Sequence, residues 1–341
     1  MNSTVNVKYL LQKYKSQFDE AQATVVNTKS ARHDIYVEME ISTQTLREQQ
    51  MRALKRWQEE MNEKCAAKGE EAILVTNNVD LEGPPVGFRF ISDRFFNDPA
   101  DYSPVDQNEL KCECRGRACR SSVDCCPQLN HSMPAYDVFG RLVPEHKGPI
   151  FECSDLCKCS KTCVNRQLQN GRQVTLELLR AQSPYQWTVR TLRDLKKGTF
   201  VTEIVGEVLD LHEAAHRLAS YGPKHAVTNL LELRYSDGRP RYALDKTLYG
   251  NIANFIQHSC EPNLEMRLVY SEMHEEAAPR LALFSVCDIP AHSLLTIDFR
   301  PDPAHYDDSE IKRLKKSGLD FVLCNCSANR CRRVLWVDSK K

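Results

Sequence analysis

The run CECRGRACRSSVDCC (residues 112–126) and the later run CSDLCKCSKTC (residues 153–163) decide how this chain folds. Together they hold nine cysteines: Cys112, Cys114, Cys119, Cys125 and Cys126, then Cys153, Cys157, Cys159 and Cys163. Thiolates are soft ligands, and C-x-C and C-x3-C spacings suit tetrahedral zinc. Three tetrahedral zincs need twelve bonds, and nine sulfurs supply them if six bind one metal and three bridge two. The surplus negative charge falls beside Arg115, Arg117, Arg120, Lys158 and Lys161. A disulfide framework is the competing reading, but nine is odd, and disulfides belong to exported proteins. A three-zinc structural cluster is expected, with the metals contributing folding energy directly. The Pro- and Gly-containing segment between the two runs then needs little core of its own, because metal pins both its ends.

The rest of the composition sets bounds around that cluster. At 341 residues the chain can bury one sizeable core plus smaller modules. Lys+Arg and Asp+Glu are both 46, which gives no global field for steering nucleic acid or membrane. Direct nucleic-acid binding is not expected, and Lys312, Arg313, Lys315 and Lys316 read as a solvated helix face. No apolar run is long enough to span a membrane, and MNSTVNVKYLLQKYKSQ lacks the apolar core of a signal peptide. An intracellular, reducing compartment is expected.

Upstream of the cluster, residues 1–75 read as a helical region. Met51, Leu54, Trp57, Met61 and Cys65 recur at steps of three and four, one apolar face of a helix packed on its own domain. Cys65 lacks ligand spacing and reads as a lone thiol. ILVTNNVDLEGPPVGFRFISDRFF (residues 73–96) changes texture, and residues 76–110 are expected to wrap a neighbouring domain in extended form.

Downstream the pattern becomes β-rich. VTLELL (174–179), VRTL (189–192), FVTEIVGEVL (200–209), NLLELRY (229–235), YALD (242–245), LALFSV (281–286) and LLTIDF (294–299) all predict strands. One helix interrupts them: Asp210 and Glu213 make a capping-box pattern, Ala214, Leu218 and Tyr221 a face, and Gly222-Pro223 a stop. Cys287 reads as a buried small hydrophobe, and His212, His216 and His225 as surface or helix residues. Nucleotide-binding glycine motifs and the G-x-S-x-G elbow are absent. The fold class is mainly β with minor α, built of small sheets. The tail CNCSANRC (324–331) offers Cys324, Cys326 and Cys331, one ligand short of a tetrahedral zinc. Cys260, in NIANFIQHSCEPN (251–263), is the natural fourth, the alternative being a three-cysteine knuckle completed by water.

On these motifs the chain resembles the suppressor-of-variegation class of SET-domain histone H3 lysine-9 methyltransferases. Residues 111–166 resemble a pre-SET three-zinc cluster, 174–300 a SET domain with its pseudoknot, and 320–341 a post-SET zinc module joined by a connector at 301–319. WQEEMN (57–62) and VDLEGPP (79–85) resemble the segment preceding pre-SET in the heterochromatin branch, and a chromodomain is not evident. The resemblance implies methyl transfer from S-adenosylmethionine to a lysine of the histone H3 tail, four Zn2+, chromatin and heterochromatin partners, and a nuclear location. It carries cofactor contacts onto Gln186, Trp187, Thr188, Asn229, Gln257 and His258, and catalytic positions onto His258 and Phe299.

Several of these positions depart from the family pattern. Gln186-Trp187-Thr188 stands for Gly-Trp-Gly, Asn229 for an aromatic residue, Gln257 for asparagine, and Ile297-Asp298-Phe299 for Phe-Asp-Tyr. Phe299 lacks the hydroxyl that the family's tyrosine aims at the lysine amine. Two functions are therefore expected to compete. One is a working lysine methyltransferase with altered chemistry, and the other a zinc-scaffolded, catalytically inactive SET protein that binds histone tails or chromatin partners.

Overall fold

Apolar spacing and short β-rich runs produce one long helix laid against several small sheets. The computed structural model describes residues 29–97, 111–116, 119, 124–182, 186–221, 223–235, 238–271, 278–300 and 305–337. Expectations for residues 1–28, Arg117 and Arg120, and parts of the 76–110, 301–319 and 320–341 segments lie outside the described residues.

Helix α1 (Lys29–Ala67) buries Leu54, Trp57, Met61 and Cys65 in the main core. Met51, read as part of that face, is instead 61% exposed. The surface opposite this end of the helix is backbone, not hydrocarbon: buried Gln50 donates its Nε2 to the carbonyls of Asp80 and Glu82, both at 3.2 Å. Strand β1 (Ile73–Thr76) follows, and α1 satisfies one of its edges through Asn62, bonded to both Ile73 N and O, and Gln58, which accepts from Val75 N. Strands β2 (Arg89–Phe90) and β3 (Phe95–Phe96) complete this segment.

Among its described residues the cysteine-rich region contains the turn-length α2 (Cys126–Leu129) and β4 (Ile150–Phe151) as its named elements. Strands β5 (Leu176–Arg180) and β6 (Trp187–Thr191) then form an antiparallel pair, with β1 added in parallel to β5. Next come β7 (Phe200–Ile204), β8 (Glu207–Asp210), helices α3 (Leu211–Ser220) and α4 (Pro223–Asn229), β9 (Leu230–Arg234) and β10 (Pro240–Asp245). Asp210 caps α3 by accepting from Glu213 N. Ala214 is buried, Leu218 is exposed, and the Tyr221 hydroxyl donates to Asp245 Oδ2. Pro223 ends α3 as expected but also opens α4, since proline's missing N–H costs nothing in a first helical turn. A second sheet runs β3-β8-β10-β9, its turn at Gly206 so close to the Asp245 carbonyl that a Cβ would collide.

Strand β11 (Tyr249–Gly250) pairs with β2, and a 3-10 turn (Ile252–Phe255) leads into β12 (Gln257–His258). Strands β13 (Leu264–Tyr270), β14 (Arg280–Ser285) and β15 (Thr296–Ile297) build the largest sheet, ordered β12-β15-β13-β14-β7 with β4 also on β13. Cys287, just beyond β14, is exposed rather than buried. It follows the last inward residues of the strand, where the chain turns out toward Asp288 and its ion pair with Lys196. Helix α5 (Asp308–Ser317) presents Lys312, Arg313, Lys315 and Lys316 to solvent, and the hairpin β16 (Phe321–Leu323)–β17 (Val334–Val337) closes the described chain. No helix among the described residues is long and apolar enough to cross a membrane.

Candidate active site and metal centres

The nine cysteines of the two runs converge into a core of their own, separate from the hydrocarbon core. Two sets of four have their sulfurs within 4.8 Å of one another: Cys112, Cys119, Cys153 and Cys159, and Cys112, Cys126, Cys153 and Cys157. Both sets contain Cys112 and Cys153, the arrangement that bridging thiolates produce. Cys114, Cys125 and Cys163 lie beside them: Cys114 packs on the cluster, and Cys125 is fully buried facing Cys114 and Cys163. Neighbouring donors aim at the sulfurs, as outer groups do around metal thiolates. Asn165 Nδ2 lies 3.3 Å from Cys153 Sγ, and buried Arg166 Nη2 lies 3.4 Å from Cys159 Sγ.

The tail folds back onto the middle of the chain. Cys260 Sγ lies 3.6 Å from Cys324 Sγ, and Cys260 N donates to Cys326 Sγ at 3.4 Å. Cys331 Sγ is 3.8 Å from the Cys324 carbonyl oxygen. His258 Nε2 is 3.4 Å from Cys260 Sγ, and His258, Cys260, Cys324 and Cys326 have their ligand atoms within 4.8 Å of one another. The next residue of the tail, Arg332, donates Nη2 to Asp298 Oδ1 at 2.7 Å and Nη1 to the Arg300 carbonyl at 2.8 Å. The same carboxylate is 3.6 Å from His258 Nδ1. One arginine thus ties the cysteine tail to the strand end that carries Asp298 and Phe299.

Inside this closure Phe299 is buried, its ring stacked on His258 with centroids 6.4 Å apart and its N–H 3.4 Å from His258 Nδ1. Burial lowers the His258 pKa, with Asp298 opposing and Arg332 reinforcing the shift. The ammonium of Lys246 also lies over the Phe299 ring, 5.2 Å from its centroid. Lys246 is 2% exposed, and its Nζ donates to Asn229 Oδ1 at 3.2 Å. Burial pulls its pKa down to about 8, Asp245 only partly opposing. Asn229, at the end of α4, is therefore engaged by Lys246.

The remaining assigned positions divide. Gln186 is exposed, whereas Trp187 and Thr188 enter β6 and are buried. Trp187 packs edge-on against Trp57 of α1, 5.9 Å between centroids. Its carbonyl accepts from Gln257 Nε2 at 2.6 Å, which ties β6 to β12. Thr188 Oγ1 is buried with no hydrogen-bond partner among the described residues.

Comparison with known proteins agrees with this arrangement. The pre-SET motif matches residues 64–166 and the SET domain matches 186–300. Histone-lysine N-methyltransferase SUV39H1-A of Danio rerio is 33% identical over 293 residues, covering 83% of this chain and 69% of its own. This chain belongs to the SUV39H-type family of SET-domain proteins. Among solved structures, the Neurospora SET-domain histone lysine methyltransferase DIM-5 superposes with a TM-score of 0.59 at 26% identity, over 69% of this chain and 98% of that one. KRYPTONITE, solved with mCHH DNA, an H3(1-15) peptide and SAH, gives 0.61 at 29% identity over 78% of this chain. The chain spans 52% of that KRYPTONITE chain.

The side chains fit zinc well, since clustered thiolates with N–H donors on the sulfurs are what zinc stabilises. Toward a polar cofactor the SUV39H-type site offers the unpaired Thr188 hydroxyl, while the Gln257 and Asn229 amides already serve internal bonds. Two residues of the site went unread in the sequence. Lys246 follows a β-strand and looks like any loop lysine, and Arg332 is one of several arginines beside the tail cysteines. The one available signal for Arg332 was its position next to Cys331.

Proposed function

We propose that this SUV39H-type chain is a nuclear, chromatin-associated histone H3 lysine-9 N-methyltransferase. The observation that supports it is the joined site of Phe299, His258 and Asp298, closed by the cysteine tail through Arg332. We assign Gln186, Trp187, Thr188, Asn229, Gln257 and His258 to cofactor contact, with His258 and Phe299 at the reacting centre. S-adenosylmethionine, when bound, supplies an activated methyl group for a lysine amine. The chain's own part is to place that amine, strip it of water and keep its lone pair free. Buried Phe299 and the half-buried His258 ring give a dry wall for it. Phe299 cannot donate a hydrogen bond to an amine or to an ordered water, so its own contribution is shape and an aromatic face. The histone H3 tail is the partner class, as in the KRYPTONITE complex, and a tail of this kind adds along a sheet edge.

The proposed division is a helical region at 1–75, an extended wrap at 76–110, pre-SET at 111–166, SET at 174–300, a connector at 301–319 and post-SET at 320–341. The pre-SET module takes three Zn2+ on its nine cysteines, and the SET and post-SET modules share a fourth on Cys260, Cys324, Cys326 and Cys331.

The second reading, a silent SET protein that binds tails or chromatin partners, is favoured by the missing hydroxyl at Phe299 and the engaged Asn229. Methyl transfer from labelled S-adenosylmethionine to an H3 tail peptide separates the two. Incorporation at lysine-9 by zinc-loaded protein, rising about 10²–10³-fold in Phe299→Tyr, is the expected result. No incorporation by either folded protein would select the silent reading.

A further inference from the structure

We propose that the Lys246 ammonium is a built-in occupant of the amine end of this site, so that a peptide lysine enters only when Lys246 withdraws. The inference rests on the reading of Phe299 at the reacting centre, with Asn229, assigned to cofactor contact, on the same Lys246 tip. Lys246 leaves the end of β10 with its backbone pinned on both sides: its N–H donates to the Asn229 carbonyl at 2.9 Å, and its carbonyl accepts from Asn254 Nδ2 at 2.5 Å. The side chain runs inward, and its tip meets an amide oxygen and an aromatic face.

An aromatic face with a polar acceptor is how proteins receive an alkylammonium guest. Here the guest is the chain itself. A lysine buried for stability alone would be paired with a carboxylate. The adjacent carboxylate, Asp245, faces elsewhere: its Oδ2 accepts from Arg217 Nη1 and the Tyr221 hydroxyl, and its Oδ1 from Thr247 N. Among the described residues Lys246 Nζ makes one hydrogen bond, leaving donors unspent. Burial also brings its pKa down to about 8, so that at pH 7 about one in ten is the free amine. A side chain held this loosely in its charged form can leave, and one that sits over Phe299 excludes any other amine while it stays.

The test compares the full zinc-loaded chain with Lys246→Ala, Lys246→Ser and Lys246→Met. Each is titrated with an H3(1–15) peptide and with the same peptide carrying alanine at position 9, in the presence of S-adenosylhomocysteine. Calorimetry measures S-adenosylhomocysteine binding separately, and zinc content and circular dichroism report folding. Both small variants should bind the lysine peptide at least about 10-fold more tightly than wild type and should prefer it to the alanine peptide. Lys246→Met keeps the space filled without the charge and should behave like wild type. A wild type that already prefers the lysine peptide as strongly as the small variants overturns the proposal, and so does an equal gain in Lys246→Met. If all proteins bind S-adenosylhomocysteine and the small variants gain nothing, this inference falls alone. If none binds it and none binds the peptide, the methyltransferase reading falls with it.

Discussion

Glu203 shows how single residues hold the end of the N-terminal helix to the largest sheet. Its carboxylate, 2% exposed, takes Arg280 Nε at 2.7 Å on one oxygen and Lys68 Nζ at 3.1 Å on the other. Burial alone would raise its pKa, but Arg280 and Lys68 outweigh it and hold the group at about 2. A folded pKa below the unfolded one contributes stability above about pH 4.5 that is lost as pH falls toward 2, here about 3 kcal/mol. Glu203→Gln should therefore cost about 3 kcal/mol at pH 7, with the gap from wild type narrowing as pH falls from about 5 toward 2. Urea unfolding at each pH measures it, and a gap that stays constant would show that the carboxyl does not titrate with folding. The residues of this pair were readable as charges, not as partners, because Lys68, Glu203 and Arg280 meet only in three dimensions. The same limit hid Lys246. Thiol ligands differ, since zinc chemistry restricts their local spacing and the nine cysteines announce their cluster in the primary sequence.

At the scale of elements, α1 is the clearest case of a sequence pattern becoming packing. Trp57 sits edge-on to Trp187 at 5.9 Å and to Phe255 at 6.1 Å, so one indole joins the helix to β6 and to the turn before β12. Truncating such a side chain costs about 3–5 kcal/mol, because the rigid strands around it cannot collapse into the space. Trp57→Ala should lose about that much by urea unfolding, and hydrogen exchange should show β1 losing protection together with α1. A loss under about 1 kcal/mol would mean that the helix merely lies alongside. Periodicity gave α1, β5, β6, β7, β8, β9, β10 and β14, since each has enough length to display a 2 or 3.6 repeat. Two-residue strands such as β2, β3, β11 and β12 carry no period, and their pairing is decided by partners distant in sequence; β15 falls inside the run predicted at 294–299. Met51 failed for the matching reason: an apolar period continues past the point where its apolar partner stops.

The whole molecule divides its stability between two chemistries. The main core is hydrocarbon and spans α1 and the sheets, whereas the core of residues 112–163 is almost entirely sulfur. The cysteine-rich region nevertheless docks on the large sheet: β4 pairs with β13, Phe151 stacks on Tyr270 at 5.1 Å, and Arg267 donates to the His146 and Gly148 carbonyls. Removing zinc should then unfold the sulfur core and release the tail, since a site without its metal leaves crowded thiols with little apolar area to bury. The sheet β13-β14-β7 keeps its own buried leucines and phenylalanine and should stay folded. Native mass spectrometry should count four zincs per chain, and three in Cys331→Ser. Four retained in that variant would instead make His258 the ligand, as its place in the tight group of four allows. Hydrogen exchange under chelation completes the test. Protection should vanish across 112–163 and 321–337 and persist in β13 and β14. Simultaneous loss everywhere would show that the metals, and not the hydrocarbon core, hold the largest sheet together.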